Sequence, residues 1–303
     1  ELPENRRANF VLGGSYIYWK AKQGGMGTAL AYTNNVGNDI AYVQLWKPQY
    51  ESGFKVFLGV DGNRDNWTFL GEYTNYSFHN NTTPRASRSY PYLTSPWIDR
   101  LSDSANGMLS NALSNQWNFN INMVDLKLGR SFFSGKKVLL SPYLKARGAS
   151  IDQSVYINSQ EIAINSHITQ ANSRNKNNTR QIGPLLGLDM NWFLSPSFYI
   201  LGTAGAGVLY THFNTSHSVY VNKAQTFGRT AKFNDFKFNF DIAAGFGWKI
   251  FFSKHKKYVD ISFKYEAITF WNQNALAPML YESSLQSNNL CLEGGTASIG
   301  LNF

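Results

Sequence analysis

The stretch FKFNFDIAAGFGWKIFF (236–252) carries an apolar residue at every even position: Phe236, Phe238, Phe240, Ile242, Ala244, Phe246, Trp248, Ile250 and Phe252. Its odd positions include Lys237, Asn239, Asp241, Gly245, Gly247 and Lys249. Such strict alternation belongs to a strand with one apolar and one polar face, not to a helix. An antiparallel sandwich alternates in the same way, but its strands run about 5–6 residues. A solvated sandwich face also carries many charges, whereas this one mixes glycine, amides and single charges of both signs. That mixture suits the interior of a transmembrane barrel whose aromatic face meets lipid.

The same pattern recurs outward from this stretch. YVDISFKYEAITFW (258–271) sets Val259, Ile261, Phe263, Tyr265 and Ala267 against Asp260, Ser262, Lys264 and Glu266. GGTASIGLNF (294–303) sets Ala297, Ile299, Leu301 and Phe303 against Thr296, Ser298, Gly300 and Asn302. Ten candidate strands follow: 9–21, 52–61, 66–79, 115–130, 137–150, 179–193, 197–213, 233–252, 257–271 and 292–303. DGNR, FFSGKK, SPS and SKHK read as tight turns between them, and 22–51, 80–114, 151–178, 214–232 and 272–291 as long loops. Short turns alternating with long loops are the plan of a Gram-negative outer-membrane barrel, with periplasmic turns and external loops, here as one domain over 1–303.

Three segments fit less simply. In 115–130, Trp117, Phe119, Ile121 and Met123 share one parity and Val124, Leu126 and Leu128 the other, which a β-bulge near Met123 would reconcile. Pro142 and Pro184 each remove a ladder donor. ALAYTNN and IAYVQLW in loop one form a second hairpin candidate, raising the count to twelve, and WIDRLSDSANGMLSNAL (97–113) is a candidate short helix at the mouth or rim.

Composition agrees with the barrel. The 303 residues are 43% hydrophobic and 16% aromatic but only 16% charged, against about a quarter in soluble domains. No run of 18 apolar residues supplies a transmembrane helix, and ELPENRRANF has no apolar h-region. A lone Cys291 excludes an internal disulfide and a cysteine-built metal site. No cofactor or metal motif is visible. Aromatics fall near the ends of the candidate strands, so membrane belts are expected at Trp19, Trp67, Trp117, Trp192, Trp271 and Phe303. Phe303 also reads as the terminal aromatic by which barrel-assembly machinery recognises this class.

The stretch GGSYIYWKAK (13–22), followed by YESGFKVFLGVDGNRDNWTFLGEYTNYSFHNN (50–81), resembles the Legionella-type outer-membrane proteins, a family related in pattern to the chlamydial major outer-membrane proteins. Trp19, Lys20, Gly53, Phe54, Leu58, Gly59, Asp65 and Trp67 carry the likeness. It implies an outer-membrane barrel with a porin or surface-structural role. The chlamydial relatives are richer in cysteine and cross-link their envelope, and the single Cys291 departs from that.

The barrel register turns Lys55, Glu72, Asp125, Lys127, Lys145, Arg147, Asp189, Lys237, Asp241, Lys249, Asp260, Lys264 and Glu266 inward, seven basic and six acidic groups. They form either an internal ion-pair network or the lining of a water-filled channel weakly favouring anions. Ten strands lie nearer the filled limit than the 16–18 of open porins. The net charge of +9 sits elsewhere, in RRAN, PRASR (84–88), NSRNKNNTR (172–180) and SKHKK (253–257). Basic loops of this kind suit lipopolysaccharide phosphates or host polyanions such as heparan sulfate. Nucleic acid is excluded, because these residues do not interleave with stacking aromatics.

Three functions are open at this level: a porin-like or major surface structural protein, an adhesin for host polyanions, and a rim hydrolase. The last rests on THFNTSHSVY (211–220), where His212, Ser216, His217 and Ser218 lie near Asp235. A non-enzyme is the expectation, with a homo-oligomer and the lipid bilayer as further partners.

Overall fold

The computed structural model describes residues 9–33, 40–62, 66–98, 110–161, 170–252, 257–276 and 289–303. Fourteen strands occur among them: β1 (Asn9–Gln23), β2 (Gly27–Tyr32), β3 (Ile40–Leu45), β4 (Tyr50–Gly62), β5 (Trp67–Thr82), β6 (Tyr92–Thr94), β7 (Ser110–Arg130), β8 (Phe132–Ser134), β9 (Val138–Glu161), β10 (Gln170–Phe193), β11 (Phe198–Val221), β12 (Ala224–Phe252), β13 (Lys257–Phe270) and β14 (Leu290–Asn302). Ten of them close a cylinder in the order β1-β4-β5-β7-β9-β10-β11-β12-β13-β14, each antiparallel to its neighbours. The seam is β1 against β14, where Leu12 faces Leu301 and Trp19 faces Gly294. Phe10 N–H donates to the Phe303 carbonyl at 2.9 Å and Phe303 N–H returns the bond at 3.0 Å.

The ten expected strands are all present, and several are longer than expected. Most of 151–178 and 214–232, read from sequence as loops, continues the ladders of β9–β10 and β11–β12. Asn222 (φ 48°) and Lys223 (φ 69°) close the second of these hairpins in two residues, both in the left-handed region that a type I′ turn requires. The hairpin expected in loop one also exists, as β2 against β3. It does not enter the wall: β2 pairs with β6 and β6 touches β7 at a single residue pair, while β7 pairs directly with β5 and β9. The wall therefore has ten strands, not twelve. Trp97 pins this small sheet by donating from Nε1 to the Gly27 carbonyl at 2.6 Å. Of the segment read as a helix, 99–109 lies outside the described residues, and 110–113 is strand, in β7.

The bulge expected near Met123 is absent. The β5–β7 ladder runs in register from Trp67↔Arg130 to Thr82↔Asn115. What changes along β7 is the chemistry on each side. Trp117, Phe119, Ile121 and Met123 point inward and are buried, while Val124, Leu126 and Leu128 point outward and are exposed. Both prolines lie within strands: Pro142 faces Leu188, and the β10–β11 ladder skips Gly183 and Pro184 before resuming at Leu185↔Gly207.

The outward face is apolar only in the half nearer the short turns. On β10 it carries Ile182, Leu186, Leu188, Met190 and Trp192, all exposed. Beyond Ile182 the same face carries Arg180, Asn178, Lys176 and Arg174. Strands of 24 residues such as β9, β10 and β11 exceed the 9–11 that cross a bilayer, so the wall extends well beyond the hydrocarbon.

Candidate functional site: a filled lumen

Inside the lipid-facing half, the wall brings its charges into contact. Arg147 on β9 donates from Nε and Nη2 to the two carboxylate oxygens of Asp125 at 2.8 and 2.7 Å. It also reaches both oxygens of Asp241 across the lumen at 2.7 and 2.8 Å, and Asn239 Oδ1 at 2.6 Å. Lys145 joins the same two carboxylates, lying 3.3 Å from Asp125 and hydrogen-bonded to Asp241. A second group forms around Glu266, which meets Lys55 at 2.6 Å and Lys264 at 2.5 Å, with Glu72 3.6 Å from Lys55. Asp189 completes the layer, accepting from Lys127 at 2.5 Å and from Thr203 at 2.9 Å. A charge removed from water is tolerated when paired and hydrogen-bonded; each of these has an ion-pair partner, and most are hydrogen-bonded to it or to a neighbour. Between the groups remains a cavity of about 120 Å³ lined by Glu72, Asp125, Lys127, Arg147, Asp189 and Lys264, which is room for a few waters.

Glycine makes part of this layer fit. A Cβ at Gly187 would lie 2.3 Å from the Tyr143 ring, and one at Gly205 would lie 2.6 Å from its hydroxyl. The bare backbone of β10 and β11 thus lets Tyr143 lie flat along the inner wall across these two strands, while Lys127 sits over its ring at 4.8 Å.

Immediately above, towards the long loops, the lumen is apolar. Trp19, Tyr76, Phe119, Ile121, Met123 and Ile151 are fully buried there, with Leu185, Leu209, Phe270 and Leu292 closing the far side. Phe78 meets Trp117 edge-on at 4.7 Å and stacks on Phe119 at 5.2 Å. Trp19 Nε1 donates to Thr296 at 3.1 Å, and its carbonyl accepts the Tyr76 hydroxyl at 2.9 Å. Lys55 lies over the Trp19 ring at 4.9 Å, joining the two layers.

Of the thirteen inward charges expected, ten meet in the polar layer just described. Lys237 lies higher, paired with Asp235 at 2.6 Å and over Phe213 at 5.4 Å. Lys249 and Asp260 lie lower: the cation sits among the rings of Phe193, Tyr199 and Tyr258, and Asp260 accepts from the Tyr199 hydroxyl at 2.6 Å. Trp67, Trp192, Trp271 and Phe303 face outward and are 45–51% exposed. Trp19 and Trp117, expected in the outer belt, are 0% and 2% exposed and lie inside the barrel. Nearness to a strand end does not decide which way an aromatic faces; the parity of Trp19 and Trp117 puts them in the plug. Sequence reading also missed the neutral amides Gln153, Asn175, Asn177, Gln181 and Gln273, all buried. The alternation of Ser173, Asn175, Asn177, Thr179 and Gln181 with Arg174, Lys176 and Arg180 was their one available signal.

The hydrolase candidates are not brought together. His212 faces out and bonds Asn234 at 2.6 Å, while His217, five residues along the same strand, faces in against Asn175. Ser216 and Ser218 share the outward face, and Asp235, opposite Thr211, is bonded to Lys237.

A closed antiparallel cylinder with an apolar outer girdle and internal polar groups defines a bacterial outer-membrane β-barrel protein. Residues 1–302 match the family described as Legionella pneumophila major outer membrane protein precursor, and the chain belongs to that family. It is a protein of the Gram-negative outer membrane. No curated protein matches it in sequence. Among solved structures, the outer membrane protease OmpT from Escherichia coli is similar at a TM-score of 0.55 and 13% identity, covering 99% of each chain. That likeness is one of fold alone. A Pseudomonas aeruginosa FadL homologue matches at a TM-score of 0.31 and 8% identity over 98% of this chain and 90% of its own.

Proposed function

We propose that this chain is a structural surface protein of the outer membrane whose lumen is shut, rather than an open pore for passive diffusion. The observation that carries this reading is the filling of the lumen in two successive layers, ion pairs around Arg147 and Glu266 and then aromatics around Trp19 and Trp117. A solute crossing the barrel has to break buried, charge-assisted bonds, among the stronger hydrogen bonds in proteins, and then displace packed rings. Single-channel recording in planar bilayers tests it. The purified protein is expected to insert without steady conductance, and a stable ohmic step at moderate voltage would overturn the reading.

We also read the chain as non-catalytic, because His217 faces inward, away from Ser216 and Ser218, while His212, on their face but four and six residues along the strand, is bonded to Asn234 and Asp235 to Lys237. Should a peptide or lipid substrate be hydrolysed by the wild type and spared by a His212→Ala, His217→Ala variant, that reading fails.

A further inference from the structure

The outward face of β10 changes character between two neighbouring outward positions. Ile182 is the last apolar side chain of the girdle on this strand, and Arg180 is the next residue facing the same way. Above it follow Lys176 and Arg174, all three exposed. Outward positions repeat every two residues, about 7 Å along the strand, so the cations climb the wall from the edge of the hydrocarbon. The adjoining strand adds Ser216 beside Lys176 and Ser218 beside Arg174, and one strand further Lys232 lies level with Asn178. Among the described side chains, the one carboxylate on this face is Asp152, beside Asn178.

Cations elsewhere on the outer wall are treated differently. Lys20 and Lys22 on β1 are both bound to Glu293, at 3.1 and 2.5 Å. Among the described residues, Arg174, Lys176, Arg180 and Lys232 have no ion-pair partner, and Arg174 contacts only the ring of Tyr220, at 5.3 Å. Four cations facing one carboxylate on a single face, without mutual compensation, make a site for an anion supplied from outside. Its place selects the source. The face looks sideways over the bilayer, not up from the mouth, and begins where the acyl region ends. An anion at that height belongs to a lipid headgroup.

We propose that the outward wall of β10 above Ile182 docks the phosphorylated sugar headgroup of an outer-leaflet glycolipid, with Arg180, Lys176 and Arg174 binding its phosphates and Ser216 and Ser218 facing its sugar hydroxyls. The acyl chains lie against Ile182, Leu186 and Leu188 below. This is independent of whether the lumen conducts.

The test is native mass spectrometry of the detergent-solubilised full chain incubated with purified lipid A, with its enzymatically dephosphorylated form, and with heparin. The wild type is expected to retain phosphorylated lipid A. Retention should fall at least about tenfold when the phosphates are removed, and equally in an Arg174→Gln, Lys176→Gln, Arg180→Gln variant. An Arg174→Lys, Arg180→Lys variant should keep most of the binding. Strand content by circular dichroism certifies that the glutamine variant is folded, and its three sites are exposed. Equal retention by the wild type and the folded glutamine variant overturns the proposal, as does no retention by the wild type. Heparin binding lost in the glutamine variant while lipid A binding is not would also overturn it, in favour of a soluble polyanion.

Discussion

The half of the barrel below Ile182 and Val124 is apolar outside and charged inside, while the half above carries asparagines, serines and cations outside and rings or amides inside. One strand, β7, passes through both without a register shift from Asn115 to Arg130. The backbone therefore fixes only which way a side chain points, and the medium on each side decides what its chemistry has to be. Below the line the outer medium is hydrocarbon and the lumen holds paired ions. Above it the outer medium is polar, and the lumen holds packed rings and buried amides.

Substitutions that treat the two halves alike will break this contrast, and the largest effect is expected at the polar layer. Arg147→Ala leaves Asp125 and Asp241 to share Lys145 alone, two buried carboxylates against one cation, so the urea midpoint in lipid vesicles should fall by the equivalent of about 3–5 kcal/mol. Adding Asp125→Asn, which leaves Lys145 paired with Asp241 alone, should recover a substantial part of that loss. Next comes the plug. Trp117→Ala removes a ring packed against Phe78 and Phe119 and should cost about 3–4 kcal/mol by the same measurement. The sharpest comparison lies on the outward face of β7. Leu126→Arg enters the girdle and should cost about 2–3 kcal/mol, whereas Asn120→Arg, six residues away on the same face, should change stability by less than about 0.5 kcal/mol. Equal costs at the two positions would erase the line between the media. Between these in size is the tip of the upper hairpin: Lys223→Val puts a β-branched side chain at φ 69° and should cost about 1 kcal/mol.

The lower half was legible from sequence because the medium switches with every residue there, giving near-continuous alternation in 236–252 and 258–267. The upper half was not. In β10, inward Asn175 and Asn177 alternate with outward Lys176 and Asn178, so both faces are polar and period two leaves no contrast. Equating apolar with outward then misplaced Trp19 and Trp117 and invented a bulge at Met123. The inward charges could be enumerated by parity, but their partners could not. Arg147 meets Asp241 from 94 residues away, a pairing set by the circumference of the cylinder.

The seam between β1 and β14 joins segments separated by 283 residues at Ser15 and Ser298. The cylinder cannot shut while its last staves are still being synthesised, so the first strand waits with one edge unsatisfied. Closure of so distant a contact is intrinsically slow, and an open edge within reach of others of its kind invites aggregation. For this chain, then, the hazardous stage is transit, before the ring is complete.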